Sequence, residues 1–470
     1  MAVNNGVRVR FAPSPTGNLH IGGLRTALFN FLFARHHNGV FLIRIEDTDI
    51  ERSQSVFVDA IFDALKWMQI ESDEPVYFQT DRLDIYRKMI DQLLSQGKAY
   101  RCYCTPQELA QKQERMGLDY RYDERCRNLQ EPIAGRQSTV RYKLPKERSK
   151  ITFIDMIRGE ISIELGQLDD FIIARSDGLP VYNFAVVVDD AYSKITHIIR
   201  GEEHISNTPK QILLYEALRY QVPLFAHLPL ILGPSGKKLS KREAAVSVMD
   251  YKDQGFLPYA LFNYLARLGW SHGDQEIFTQ KELIDFFNIS HVHKKGAMFD
   301  AEKLSWLNSH YIKESDNDHL LEYMRCNNIF DPHILTPHFS HEQLHALLKL
   351  YKERAKTLLD IVQGILTVYH VPVSYERDGI EKYVSHDTSR ILVSVLEQFE
   401  KIELWNLDNL KDSLKKVCNQ FGVKLGDVAH PLRLAITGIS TSPGIFDLLV
   451  IIGKVESMEQ INKFLVYIQN

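Results

Sequence analysis

The chain is predicted to be a multidomain α/β protein: a parallel βαβ core, interrupted by an α+β insertion and followed by an all-α region. Three observations predict it. Residues 7–45 read as strand, tight Pro/Gly loop, helix and strand; residues 77–194 mix helical with strand-like patterns; and no convincing strand follows Asp300. At 470 residues the chain is too long for one core and suggests about three to five structural units. Apolar residues at 44% and charged residues at 25% are ordinary globular values, which argues against disorder and against a fibrous fold.

Val7-Arg8-Val9 alternates like a strand, and the apolar residues of 24–37 recur at helical spacing. Between them lies the loop Arg10-Phe11-Ala12-Pro13-Ser14-Pro15-Thr16-Gly17-Asn18-Leu19-His20-Ile21-Gly22-Gly23. Its two prolines stiffen it. Gly22 and Gly23 remove Cβ atoms where the helix begins, so a ligand can approach backbone N–H groups at the positive end of the helix dipole, a phosphate-binding design. Gly39 reads as the cap of that helix, and residues 40–45 as a buried parallel strand interrupted by one arginine. Glu46-Asp47-Thr48-Asp49 then falls at the carboxyl end of the strand, the edge on which doubly wound sheets bind ligands. Glu46 is assigned to a site there, and Asp49 to capping the amphipathic segment 56–68.

The insertion carries helical patterns at 85–96 and 106–116 and strand-like runs at 138–144, 161–165 and 171–174. The core resumes at 181–189 and 195–200, after which Asn207-Thr208-Pro209 is a good capped start for a helix reaching 219. A strand-like run at 228–232 and the breakers Gly233-Pro234-Ser235-Gly236 lead into Lys237-Lys238-Leu239-Ser240-Lys241-Arg242, four cations in six positions. Beyond Tyr251 the chain becomes strongly helical, with segments at 258–268, 281–287, 301–308, 343–367, 387–401 and 410–420. The domains expected are 1–76 and 195–250 for the two halves of the core, 77–194 for the insertion, 251–325 for a helical unit and 326–470 for the all-helical end.

Nothing approaches a membrane span, and the N-terminus lacks the pattern of a signal peptide, so the cytoplasm is the expected location. A net charge of -4 does not announce a nucleic-acid binder, and any such contact must come from local basic surface. Five cysteines in a chain this long do not form a secreted disulfide framework. Cys326 and Cys418 lie in helical patterns and are expected in the core.

His20-Ile21-Gly22-Gly23 paired with Lys238-Leu239-Ser240-Lys241-Arg242 resembles the two signature sequences of class I aminoacyl-tRNA synthetases. With Arg10 to Gly23 and Arg44-Ile45-Glu46-Asp47-Thr48-Asp49 added, the likeness narrows to the bacterial glutamyl-tRNA synthetase family, and it continues to Gly453-Lys454. The resemblance implies a class I synthetase nucleotide-binding, Rossmann-like fold, in which the insertion meets the tRNA acceptor end, 251–325 contacts the stem and 326–470 binds the anticodon. It implies a glutamate--tRNA ligase that makes glutamyl-adenylate from L-glutamate and ATP, then esterifies the terminal ribose of tRNA(Glu).

That chemistry is attack by the substrate carboxylate on the α-phosphorus of ATP, so the enzyme needs to position and neutralise charge rather than supply a nucleophile. By resemblance His20, Lys238 and Lys241 are catalytic. Ser14, Thr16, His20, Gly22, Gly23, Lys238, Ser240, Lys241 and Arg242 would bind ATP, which brings Mg2+. Gly23 replaces the final histidine of the class-wide signature, as is common in glutamyl enzymes. A substrate with two carboxylates and an ammonium calls for arginines and one acid. Arg10, Ala12, Ser14, Glu46, Tyr182, Val186 and Arg200 are the implied pocket, with Glu46 on the ammonium, Arg10, Tyr182 and Arg200 around the carboxylates, and Glu203 and His204 flanking. A structural ion pair is the alternative for any one of them.

Cys102-Tyr103-Cys104 with Cys126 supplies three thiolates, and zinc wants a fourth ligand. Related proteins close such a site with a tyrosine four residues before the last cysteine, here Tyr122, or with an acid or histidine two residues after it, where this chain has Asn128. A metal-free, reduced knuckle is the alternative. Thr105-Pro106-Gln107-Glu108 would cap the next helix and fix Cys104. Glu353-Arg354-Ala355-Lys356-Thr357-Leu358 resembles the segment where discriminating glutamyl enzymes place an arginine that accepts the final C of the glutamate anticodon, with Arg433 as a second contact. The alternatives for Arg354 are a solvated helix face or a phosphate contact. The partners implied are tRNA(Glu), L-glutamate and ATP, with no membrane, for a monomer. A form charging tRNA(Gln) as well, a small-molecule nucleotidyltransferase and a non-catalytic tRNA-binding paralogue are the competing readings.

Overall fold

The computed structural model describes residues 6–49, 52–116, 121–129, 131–239, 247–335, 339–369, 372 and 374–469. The chain divides into two compact units, Met1–Tyr251 with Leu261–Asp300, and Lys252–Ala260 with Ala301–Asn470.

The first unit opens with β1 (Arg8–Phe11), α1 (Ile21–His36), β2 (Val40–Ile45), α2 (Ser55–Trp67) and β3 (Tyr77–Phe78). β2 is central, parallel to β1 with Arg10 opposite Leu42, and parallel to β3 with Ile45 opposite Phe78. α1 is buried almost all round, so it carries apolar side chains on every face rather than one stripe. Two capping expectations fail here. Asn38 takes the left-handed turn after α1, at φ 51°, whereas Gly39 is needed because a Cβ there would collide with the Val7 carbonyl. α2 starts six residues beyond Asp49, with Gln54 in the N-cap position and no side-chain cap bond. The neighbour Asp47 does the tying instead, accepting from the Thr80 backbone at 2.9 Å and its hydroxyl at 2.6 Å.

α3 (Leu83–Ser95), β4 (Ala99–Cys102), α4 (Pro106–Met116), β5 (Thr139–Tyr142), β6 (Lys150–Asp155), β7 (Gly159–Glu164) and β8 (Ile172–Ala174) follow. β4, β5 and β8 make a separate antiparallel sheet. The run at 181–189 is helical, as α5 (Tyr182–Tyr192), and is followed by β9 (His197–Gly201), α6 (Thr208–Leu218), β10 (Leu224–Leu228) and β11 (Ile231–Leu232). β10 lies between β9 and β6, parallel to both, with β7 antiparallel on the outside of β6. The β6–β7 hairpin of the insertion thus extends the core sheet. Thr196 N–H donates to the Arg8 carbonyl at 2.9 Å, so β1 and β9 join the two sheets. α7 (Val248–Asp253), α8 (Pro258–Arg267), α9 (Gln280–Phe286) and β12 (Ala297–Met298) come next, β12 pairing in parallel with β11.

The second unit contains α10 (Ala301–Glu314), α11 (Asn317–Cys326), α12 (His341–Lys352), α13 (Leu358–Tyr369), α14 (Arg377–Tyr383), α15 (Thr388–Glu400), α16 (Leu407–Phe421), α17 (Leu425–Thr437), α18 (Ile445–Ile452) and α19 (Lys454–Gln469). Among the described residues no strand follows Met298, and no helix is long and apolar enough to cross a membrane. The helical run read at 343–367 is two helices. The chain turns at 353–357, Asp360 accepts from the backbone of Lys356 and Thr357 at 2.8 and 2.9 Å, and Gly364 lets α13 close on the Tyr351 ring. Cys418 is half-buried against the core, but Cys326 is exposed at the end of α11, its Sγ 3.1 Å from Glu322.

Candidate active site

A cavity of about 460 Å³ lies at the carboxyl ends of β1, β2 and β9, lined by Arg10, Ala12, His20, Gly22, Gly23, Glu46, Tyr182, Arg200, His204 and Lys238 among others. His20 is the N-cap of α1, and its Nδ1 accepts from Gly23 N–H at 3.1 Å. That bond makes Nε2 the proton-bearing nitrogen of the neutral ring. The glycines serve this loop as much as any ligand: a Cβ on Gly22 would stand 3.1 Å from the His20 ring, and one on Gly23 2.8 Å from Leu19 Cδ1.

Beneath the cavity lies a buried charge network. Asp190 Oδ1 accepts from Arg10 Nε at 3.0 Å and from Arg44 NH1 at 2.5 Å, while Arg44 NH2 donates to Glu46 Oε1 at 2.9 Å. None of the four residues is more than 7% exposed. Burial pushes the Asp190 carboxyl up, but Arg10 and Arg44 together outweigh it and hold Asp190 below the usual range. For Glu46 burial wins over Arg44, and its pKa is raised. Arg44 also stands 3.8 Å from Asp189, which accepts from Gln79 and the Tyr86 hydroxyl, each at 2.8 Å. Arg10 and Glu46 are thereby presented to the cavity in fixed poses, with Arg44 buried behind them.

Arg200 is different, a buried guanidinium whose hydrogen-bond partners are all neutral. Its Nε donates to His227 Nε2 at 3.1 Å, NH1 to Gln211 at 2.8 Å, and NH2 to Thr208 Oγ1 at 2.9 Å and the His204 carbonyl at 3.4 Å. His227 is itself fixed by Asp155, 2.7 Å from Nδ1. Among the described residues Arg200 has no carboxylate partner, and burial lowers its pKa. Such a cation gains most from an anionic ligand. His204 Nδ1 accepts from the Tyr182 hydroxyl at 3.2 Å and the Asn207 amide at 3.3 Å, and burial, then the Arg200 charge, brings its pKa down to about 4. Asn207 therefore serves the site and does not cap α6.

Other expected site residues stand elsewhere. Ser14 and Thr16 are exposed on the loop and do not line the cavity, and Val186 is buried inside α5. Ser240, Lys241 and Arg242 lie outside the described residues. Lys238 sits on a hairpin, bridged to Leu232, with Gly236 at φ +73° in its turn. Sequence reasoning missed Asp190, which ends an apolar run, and Arg25, whose guanidinium lines the cavity and donates to the carbonyls of Leu268 and Pro229. Arg25 was visible only as a charge inside a helix that is buried all round.

Cys102, Cys104 and Cys126 converge in a separate cluster. Cys104 Sγ is 3.8 Å from Cys126 Sγ, and the Tyr122 hydroxyl is 3.2 Å from Cys102 and 3.9 Å from Cys104. Zinc–sulfur bonds of about 2.3 Å in a tetrahedron place sulfurs roughly 3.8 Å apart, so the donor set fits zinc with Tyr122 at the fourth corner. Thr105 and Glu108 form the expected reciprocal cap at 2.9 and 3.2 Å. Asn128 is exposed.

In the second unit Arg354 is exposed on the turn between α12 and α13. Arg433 donates to Ser442 at 2.8 Å, and burial, then the Arg354 charge, lowers its pKa. The two cations are therefore neighbours. Tyr383 stacks on His430 with centroids 4.0 Å apart, and Lys382 lies 5.1 Å from the Tyr383 centroid.

Residues 6–306 match the family described as tRNA synthetases class I (E and Q), catalytic domain, and residues 318–465 match the anticodon binding domain. A glutamate--tRNA ligase of Pelobacter propionicus is 44% identical over 464 residues, covering 97% of this chain and 98% of its own. One from Geotalea uraniireducens is 44% identical over 470 residues, covering 98% and 99%. The crystal structure of a glutamate tRNA ligase from Elizabethkingia meningosepticum, in complex with its amino acid, superposes with a TM-score of 0.87 at 35% identity over 98% of this chain and 99% of that one.

Proposed function

Because the chain belongs to the class I tRNA synthetases of the glutamyl and glutaminyl branch, as an ATP-dependent glutamate--tRNA ligase, we propose that it activates L-glutamate as the adenylate and transfers it to the terminal ribose of tRNA(Glu). The observation that carries the glutamate assignment is Arg200, a buried cation paired, among the described residues, only with neutral groups and opening on the same cavity as Arg10 and Glu46. Arg200 and Arg10 take the carboxylates, with Tyr182 and Ala12 shaping the walls, and Glu46 takes the ammonium. The α-carboxylate oxygen then attacks the α-phosphorus, the new P–O bond forms as the bond to pyrophosphate breaks, and the released charge is met by cations. His20 donates through Nε2 to the phosphates, beside Gly22 and Gly23. Lys238 and Lys241 neutralise the leaving pyrophosphate, with Ser14, Thr16, Ser240 and Arg242 as further ATP contacts and Val186 backing the pocket from α5. Mg2+ enters as part of the ATP substrate.

ATP/pyrophosphate exchange tests this directly. Exchange should require glutamate and tRNA(Glu) and should not be supported by glutamine. Equal exchange with glutamine would overturn the assignment. The zinc content of protein purified without chelator should fall by about one ion per chain, the one held by the cysteine cluster, when Cys104 is changed to serine. An unchanged zinc content in Cys104→Ser would place the ion elsewhere.

For tRNA choice, Arg354 and Arg433 carry the reading. A guanidinium both stacks on an unpaired base and donates to its edge, and Tyr383 and His430 add aromatic surface nearby. The native protein should prefer tRNA(Glu), and Arg354→Gln should narrow that preference in aminoacylation assays with tRNA(Glu) and tRNA(Gln) transcripts. Equal loss on both tRNAs would reduce Arg354 to a phosphate contact, and efficient charging of tRNA(Gln) by the native protein would favour the non-discriminating form.

A further inference from the structure

On the second unit three potential metal ligands converge: Asp318, His341 and His345, whose ligand atoms all lie within 4.8 Å of one another. The sequence places them deliberately close. His341-Glu342-Gln343-Leu344-His345 puts two imidazoles four residues apart, hence on one face of α12. The first turn of that helix is fixed by a reciprocal cap, Ser340 N–H to Gln343 Oε1 at 2.9 Å and Gln343 N–H to Ser340 Oγ at 3.2 Å, and Gln343 is anchored to the Ile451 carbonyl at 2.6 Å. Asp318 comes from the first turn of α11, held by the cap Asp316 at 2.9 Å.

Asp318 Oδ1 stands 2.9 Å from His345 Nε2 and 3.7 Å from His341 Nε2, and the two ring centroids are 4.3 Å apart. A salt bridge alone is a poor account of this. Protonating both rings would set two like charges face to edge at that distance, over one carboxylate. His345 Nε2 is shut off from water and, although near Asp318, makes no well-aligned hydrogen bond. A divalent ion satisfies all three lone pairs together. Bonds of about 2.0–2.2 Å in a tetrahedron require ligand atoms roughly 3.3–3.5 Å apart, between the two distances observed. Imidazole and carboxylate in this ratio suit zinc and its borderline neighbours.

We propose that Asp318, His341 and His345 form a zinc-class metal site that clips α11 to α12, with water at the fourth position. The test uses full-length protein stripped with chelator and titrated with Zn2+ and Co2+. Native protein should take up one equivalent more than His341→Ala or His345→Ala, and Asp318→Asn should weaken that equivalent by at least ~10-fold, the lower bound of what even an outer partner of a metal ligand contributes. Co2+ at this site should show no thiolate charge-transfer band, which separates it from the cysteine cluster. Uptake that is the same in native protein and all three variants, with circular dichroism confirming that each is folded, would leave a surface ion pair and overturn the proposal.

Discussion

Arg200→Ala is expected to raise the KM for glutamate in the exchange reaction by about 30-fold or more, because a desolvated carboxylate that loses a charge-assisted partner forfeits ~2–5 kcal/mol and each 1.4 kcal/mol is a factor of ten. The KM for ATP should hardly move. Arg200→Lys separates charge from shape. It keeps a cation but cannot satisfy His227, Gln211 and Thr208 at once, so it should fall between native and alanine. Glutamate kinetics unaltered in both variants would mean that the carboxylates bind elsewhere.

The second large effect is on stability. Asp190→Asn keeps the shape of the side chain but removes its charge, leaving Arg10 and Arg44 buried beside a neutral amide. Breaking a buried pair from one side costs ~3–5 kcal/mol, because the remaining charge stays desolvated. Hydrogen exchange read on β1, β2 and α5 localises the loss to the first unit, where protection should fall by about two orders of magnitude or more. Native-like protection of those elements would show that Glu46 and Asp189 suffice to hold both arginines.

Local patterns in the sequence carried much of this architecture. The βαβ opening, the helix after Asn207-Thr208-Pro209, the reciprocal cap at Thr105 and the helices beyond Ala301 all follow from spacing and punctuation that are local in the chain. What escaped was set by distant partners. Gly39 looks like any helix-ending glycine until Val7 is laid against it. Residues 353–357 break a helix because Asp360 captures the backbone there, a choice no periodicity encodes. β12 is two residues long and exists only through β11. At the site, Arg10, Glu46 and Arg200 were readable as residue types on matching segments. Asp190 was not, since its role depends on which two arginines the fold brings to it across the chain.

The junction of β1 with β9 has a consequence for how the protein is made. β1 and β2 leave the ribosome almost together, but the segment that covers the other edge of β1 arrives only with Thr196 and His197. At about 5–20 residues per second, translation leaves that edge uncovered for roughly ten to forty seconds. An unpaired strand carrying Val9 and Phe11 is then a surface on the nascent chain that a holding chaperone can shield, and its length of four residues limits the hazard. Slow codons placed between β2 and β9 prolong the exposure, whereas pauses after β10 fall when the edge is already closed.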